Sequence, residues 1–439
     1  MILEDYLEQD ARLYPQKTAV VCEGREVTYS ELQQLVQSRV GELEAEGYRK
    51  GQTACLRAYA TIDFLVTYFA LHRIGCVVAP LEQSTPDDTF AEIAERLGAH
   101  TTPEGTADIL YTTGTTGVSK GVMISHRTII ADAENLIDGQ GFSHDLAFVI
   151  CGPLNHIGSL SKVYPLILLG ATIIIVDGMK DLNALFAAFD RPYKRMATFL
   201  VPASIRILLQ LAPKKLEALA EKMEFIETGA AAISRSDMEA LCHILPNTRL
   251  YNTYASTETG IISTYNYNDG RCLEGCLGRT MRHAKLFITD KGTIACSGPT
   301  LMTGYVGDPE RTAEILRDGV VYTSDLGTID DEGMLHLTGR EGDVINVGGF
   351  KVAPTEVEGV AMAFPGVNDC VCIAVDHVVT GKALKLLVAM NGEAKLDKRA
   401  LAQFLKSRLE AYKVPMLYAQ VEKVERTFNG KINRKFYLS

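Results

Sequence analysis

Between Ile109 and Gly121 the chain reads Ile-Leu-Tyr-Thr-Thr-Gly-Thr-Thr-Gly-Val-Ser-Lys-Gly. Ile109 to Tyr111 has the apolar character of a strand that delivers the backbone to an exposed edge. A turn of hydroxyls and glycines follows, closed by Lys120. Glycines let backbone N–H groups turn toward an anion, threonine hydroxyls add donors, and the lysine adds a point charge. Such a loop suits a polyphosphate. It is not a Walker loop, in which Ser or Thr directly follows the lysine; here Gly121 does. Its composition is also poor for a flexible linker.

From Tyr111 to Gly121 the stretch resembles the phosphate loop of the adenylate-forming superfamily, which includes acyl- and aryl-CoA synthetases, luciferases and the adenylation domains of peptide synthetases. The family pattern is Tyr-Thr-Ser-Gly-Thr-Thr-Gly-x-Pro-Lys-Gly. Thr113 replaces Ser and keeps the hydroxyl, while Ser119 replaces Pro and loses some stiffness. The resemblance implies that Thr112, Thr113, Gly114, Thr115, Thr116, Gly117 and Lys120 hold the phosphates of ATP. Further along, Tyr251-Asn-Thr-Tyr-Ala-Ser-Thr-Glu-Thr-Gly260 is similar to the family's Asn-x-Tyr-Gly-x-Thr-Glu. By that likeness Tyr254 stacks on adenine, Asn252 bonds its amino edge, and Thr253 and Ala255 border the nucleotide. Thr257 contacts the α-phosphate and Glu258 holds Mg²⁺, a metal that prefers hard oxygen ligands. Ala255 stands where the family has Gly, so the backbone there is less free. The turn Gly229-Ala230-Ala231 joins the nucleotide site on the same grounds.

Asp325, in Tyr322-Thr-Ser-Asp-Leu-Gly327, is similar to the family aspartate that accepts the ribose hydroxyls; alone, it reads as a turn residue. Arg340 matches the arginine that reaches ribose and phosphate. Near the C-terminus, Asn429-Gly430-Lys431 matches the turn that carries the catalytic lysine. A carboxylate attacking a phosphoryl group meets like-charge repulsion, and a fixed cation relieves it. The neighbouring Arg434 reads as surface charge. His156, in Pro153-Leu-Asn-His-Ile-Gly158, matches the histidine set against the reacting end of the acid in CoA synthetases; a lone core histidine is the other reading. An ammonium-pairing Asp is absent from this position, which points to an acid without an α-amino group. Gly342 occupies the family's hinge position, usually Asp or Lys, and Gly348 and Gly349 border the thiol-accepting face.

The motifs stand in family order over nearly the whole chain. They imply an ATP- and Mg²⁺-dependent ligase that converts a carboxylic acid to acyl-AMP and then transfers it to a thiol, with CoA first in order. A carrier-protein phosphopantetheine is the alternative acceptor, and a nucleotide-binding relic without turnover is the alternative from outside enzymology. The pocket segments His156 to Ser161, Thr198 to Val201, Gly229 to Ile233 and Ile261 to Ser263 are small or apolar, with no obvious charged partner. They point to an apolar aryl or medium alkyl acid.

Positioning these groups takes a large frame. The chain has 439 residues, 47% of them hydrophobic, and a net charge of −10, which argues against nucleic acid or an anionic membrane as the main partner. Lys162, Tyr164 and Pro165 interrupt the apolar run from Ile157 to Val176, making it a buried segment rather than a membrane span. No basic signal-type region opens the sequence, and ten cysteines in apolar settings read as reduced thiols, together pointing to the cytoplasm. Oligomeric state is not legible. Alternating strand and helix patterns imply α/β architecture. The expectation is a large N-terminal domain of doubly wound sheets (1–340), including a small barrel-like antiparallel subdomain from Lys285. A small mobile α+β C-terminal domain (341–439) carries the lysine. Ser30 is expected to cap the first long helix. Gln83 to Asp108 is short for the family, as if a strand and helix were missing. Loops after the strands ending near 111, 151, 228 and 251 are expected to converge on one cleft.

Overall fold

The computed structural model describes residues 1–112, 120–347, 350–378, 380–427 and 431–437. Side-chain capping sets several helix starts. Thr28, two residues before Ser30, caps the helix Tyr29–Ala45: its hydroxyl accepts from the Glu31 N–H at 3.2 Å while Glu31 accepts from the Thr28 N–H at 2.7 Å. The reciprocal pair joins a hydroxyl to the carboxylate three residues on, and Thr28 with Glu31 has that spacing.

The larger sheet is built on parallel strands in the spatial order Thr18–Cys22, Thr172–Ile175, Ala147–Ile150, Met196–Phe199, Met223–Thr228 and Arg249–Ser256. Their near-continuous apolar runs, rich in Ile, Val and Phe, suit strands covered on both faces. Gly260–Asn266 returns antiparallel to Arg249–Ser256. Through Cys276–Thr280 the sheet continues into antiparallel strands Leu335–Arg340, Val320–Ile329, Thr293–Ser297 and Lys285–Ile288. A second sheet pairs Thr53–Arg57, Val77–Leu81 and Thr106–Thr112 in parallel, then Lys120–Ser125 and Gly304–Tyr305 antiparallel. The short segment before the phosphate loop still forms one helix, Asp87–Gly98.

Side chains between Ile345 and Val414 build a separate apolar cluster around Val352, Val357, Cys372, Leu386 and Leu401. Its strands Val367–His377 and Gly381–Met390 are antiparallel, Leu417–Val421 adds in parallel, and the helices Pro354–Met362 and Lys398–Lys406 accompany them. Helix Ile157–Leu168 is buried along most of its length, and no helix among the described residues is long and apolar enough to cross a membrane. All ten cysteines are free thiols.

Candidate active site

Thr112 and Lys120 face each other across the antiparallel pair that flanks the phosphate-loop turn. The turn itself, including Thr113, Gly114, Thr115, Thr116 and Gly117, lies outside the described residues, as do Gly348 and Gly349. Gly121 is required by close packing: a Cβ there would come 2.6 Å from Val306 Cγ1 and 2.8 Å from Ile109 Cγ2. Lys120 lies 5.2 Å from the centre of the Tyr305 ring. Burial, Arg311 and Arg340 lower its pKa, against Glu258 and Asp308, which raise it.

Glu258 projects from the tight connection between Arg249–Ser256 and Gly260–Asn266. Ser256 and Thr259 cap each other there, Ser256 N–H to Thr259 Oγ1 at 3.0 Å and Thr259 N–H to Ser256 Oγ at 3.1 Å. Gly260 adopts φ +69°, a left-handed turn that also brings it against Asp132 and the Thr300 carbonyl. Tyr305 donates its hydroxyl to Glu258 Oε1 at 2.9 Å, and a carboxylate is the hard oxygen donor that a divalent cation prefers. Thr257 is buried beside it.

Along the preceding strand, Tyr254 donates to Asp325 Oδ2 at 2.7 Å, and Arg340 Nε lies 3.5 Å from Asp325 Oδ1 and donates to Ser324 Oγ at 3.0 Å. Asp325 and Arg340 are register partners on adjacent strands, so the backbone ladder fixes their pairing. Asn252 donates its amide N–H to the Cys276 carbonyl at 2.9 Å, which leaves the amide oxygen to accept. The Thr253 hydroxyl is committed elsewhere, to Gln140 and Thr264, so this residue reaches the cluster through its backbone. The strand register shifts between Tyr254 and Ala255. Gly229 approaches that backbone so closely that a Cβ would stand 3.0 Å from the Thr253 carbonyl. Ala230 next to it holds φ +67°, a conformation costing a side-chain-bearing residue about 1–2 kcal/mol. Ala231 is half-buried.

His156 is the N-cap of helix Ile157–Leu168, its Nδ1 accepting from the Gly158 N–H at 3.4 Å. Burial, with Lys431 adding repulsion, pushes its pKa down to about 4, so the ring is neutral at pH 7. Lys431 is exposed as a residue, yet desolvation of its ammonium lowers its pKa. Arg340 lowers it further, while Asp325 and Glu258 raise it. Three strands, one turn between two further strands, one helix start and the C-terminal lobe thus bring Lys120, Asp325, Arg340, Glu258, His156 and Lys431 together.

The lobes are clasped on a neighbouring face. Arg206 pairs with Asp237 at 2.8 Å and donates to the Asn368 carbonyl at 3.1 Å, while Gln210 donates to Asn368 Oδ1 at 2.9 Å. Arg434 is not surface charge. It pairs with the buried Glu358 through Nη1 at 2.7 Å and Nη2 at 2.8 Å, three residues beyond Lys431. A carboxylate taken out of water requires such a partner. Gly342 lies in a short 3₁₀ turn with open space where a Cβ would be, so neither φ nor packing demands glycine. Sequence reading missed Tyr305, Arg206 and the buried pair Lys162–Glu227. For Lys162 the signal was a lone lysine in an apolar run, and for Tyr305 and Arg206 there was none.

This cation-rich cluster, with two carboxylates and a neutral imidazole, can hold a nucleoside triphosphate and an acid at one point. The family model described as AMP-binding enzyme matches residues 7–102 and 98–306, and that of the AMP-binding enzyme C-terminal domain matches 356–431. The chain is 28% identical over 480 aligned positions to a feruloyl-CoA synthase of Amycolatopsis sp, covering 96% of this chain and 95% of the relative. With an indoleacetate–CoA ligase of Aromatoleum aromaticum the identity is 26%, covering 99% and 97%. Among solved structures, ATP-bound MatB from Rhodopseudomonas palustris superimposes with a TM-score of 0.87 at 25% identity, covering 100% of this chain and 98% of that one.

Proposed function

Because the chain belongs to the AMP-binding enzyme family, we propose that it joins a carboxylic acid to CoA through an acyl-adenylate made from ATP. The observation that carries the reading is the position of Lys431, an ammonium supplied by the last segment of the chain to a cluster built by the rest. In the first step a carboxylate oxygen of the acid bonds to the α-phosphorus and the bond to the pyrophosphate oxygen breaks. Lys431 and Arg340 offset the negative charge gathered there, in a partly desolvated site where such pairing is strong. His156, kept neutral by burial and by Lys431, can sit against the carboxylate without trapping it as an ion pair. Asp325 accepts the ribose hydroxyls, Tyr254 and Asn252 take the base, and Lys120 with the hydroxyl-rich turn holds the phosphates. Mg²⁺ fits this donor set, held by Glu258 and the substrate phosphates, and would supply charge neutralisation at the departing pyrophosphate.

In the second step the thiol sulfur bonds to the acyl carbon and AMP leaves; the thiol proton passes to solvent. We assign residues 1–340 to the adenylating lobe and 341–439 to a mobile lobe that withdraws Lys431 between steps. CoA is chosen as the thiol because the relatives above carry CoA-ligase names. A cytoplasmic setting, where ATP, CoA and reduced thiols coexist, fits the free cysteines.

Pyrophosphate release and mass-spectrometric detection of a CoA thioester, across aryl, fatty and dicarboxylic acids, test the reading. Acid-dependent release with a thioester is expected. ATP-induced thermal stabilisation without AMP formation from any acid would refute it, and thioester on a carrier protein but not on CoA would overturn the choice of thiol.

A further inference from the structure

We propose that the buried ion pair Lys162–Glu227 is the specificity determinant at the bottom of the acid slot, where it receives an uncharged hydrogen-bonding group, such as a hydroxyl, at the far end of the acid. The inference rests on the adenylation reading, which sets the reacting carboxylate between His156 and Lys431.

Two elements lead inward from that point. Helix Ile157–Leu168 begins at His156, and strand Met223–Thr228 ends just before Gly229. Gly158 and Lys162, four residues apart, share one helix face; Gly229 and Glu227, two apart, share one sheet face. At the mouth both elements present glycine, and between the glycines lies the ring of Phe199. It is 3.1 Å from where a Gly158 Cβ would stand and 3.7 Å from where a Gly229 Cβ would. One level deeper, about 6 Å along either element, the glycines give way to the charged pair. Lys162 Nζ donates to Glu227 Oε1 at 2.8 Å and lies 2.7 Å from Oε2, with side chains 1% and 2% exposed. The same ammonium is 5.2 Å from the centre of the Phe199 ring, and Phe199 is the register partner of Glu227 on the adjacent strand. Helix, sheet and ring therefore converge on the pair.

An ion pair at this depth is an expensive floor for an apolar acid, since apolar side chains of the same volume would cost less desolvation. It retains capacity for a ligand. Among the described residues, Glu227 Oε2 is buried and, although Lys162 is near, receives no well-directed hydrogen bond; the adjoining Thr228 and Ser161 hydroxyls are likewise buried without a described partner. A substrate O–H can donate to Oε2. A second carboxylate would add net charge to a site already neutral and buried, which disfavours dicarboxylic acids. The segments that looked wholly apolar in sequence thus end on charge.

Matched acids differing only in a distal hydroxyl test this: benzoate with 4-hydroxybenzoate, cinnamate with 4-hydroxycinnamate, and hexanoate with 6-hydroxyhexanoate. Removing one partner would strand a buried charge, so the variant is the double Lys162→Met/Glu227→Leu, which keeps the floor neutral. For the best-fitting pair, kcat/KM of pyrophosphate release is expected to favour the hydroxylated acid by ~10- to ~100-fold in the natural protein. In the double variant the ratio should fall to within about threefold, with the KM for ATP unchanged. Equal rates in the natural protein, or the same ratio in the double variant, would overturn the proposal while leaving adenylation intact. Absence of pyrophosphate release from every acid sinks adenylation instead, and calorimetric Kd ratios for the same pairs then decide this proposal by the same criterion.

Discussion

Replacing Lys431 by alanine removes the one charge that the C-terminal lobe contributes to the reacting centre in this reading. Unit charges ~4 Å apart interact by ~1 kcal/mol in water and ~4 kcal/mol at an effective dielectric constant of ~20. Desolvation is the largest influence on the Lys431 ammonium, yet the residue as a whole is exposed. The loss should therefore fall between those limits, at about 2–3 kcal/mol of transition-state stabilisation. At 1.36 kcal/mol per decade this is a ~30- to ~150-fold slower formation of acyl-AMP. Single-turnover pyrophosphate release at saturating ATP measures it. Little change in KM for ATP is expected, because Lys120 and Arg340 remain. Thioester formation from supplied acyl-AMP serves as the control and should keep its rate. The pH profile adds an independent readout. Only protonated Lys431 acts, so the rate falls as pH rises through its pKa, which lies below the ordinary lysine value of 10.5. That limb should vanish in Lys431→Ala. A loss under about fivefold, or an unchanged alkaline limb, would refute the electrostatic role.

Arg206→Ala cuts the charged hydrogen bond between the lobes at Asn368, and partial exposure limits its effect to about three- to tenfold on pyrophosphate release. If both half-reactions fall equally, the clasp does not favour the adenylating arrangement. His72, buried between Glu4 and Asp108 at 3.0 and 3.1 Å, loses proton affinity to burial, but the two carboxylates outweigh this and lift its pKa to about 10. The raised pKa stabilises the fold fully below pH ~6.5 and progressively less toward pH 10. His72→Gln should cost about 3–5 kcal/mol near neutral pH, with a Tm deficit that narrows between pH 6.5 and 10; a deficit independent of pH would contradict this. Gly121→Ala forces a methyl against Val306 and Ile109 and should destabilise by about 1–3 kcal/mol in thermal unfolding. An unaltered Tm would show that the strand pair absorbs the methyl freely.

Elements whose signals are local were readable from sequence. The apolar parallel strands and the Thr-Glu and Ser-Asp segments that carry Glu258 and Asp325 all announce themselves within a few neighbours. Errors arose where a residue's meaning depends on a distant partner. Arg434 looked like surface charge because Glu358, which it neutralises, lies far away in the chain. The partners of the Thr253 hydroxyl, Gln140 and Thr264, were equally hidden, because strand alternation turns this side chain away from Tyr254 toward residues distant in the chain.

The sequence by itself determined which side chains are on offer: hydroxyls and glycines before Lys120, the carboxylates of Glu258 and Asp325, and a lysine near the C-terminus, each specified by type and near spacing. Tertiary structure alone decided what those groups feel. Only the folded chain sets Lys431 beside His156, turns the imidazole neutral, and places Lys162 against Glu227 beneath an apolar ring. Charge and hydrogen-bond energies depend on through-space distance and on the exclusion of water, and neither is written in separations along the chain.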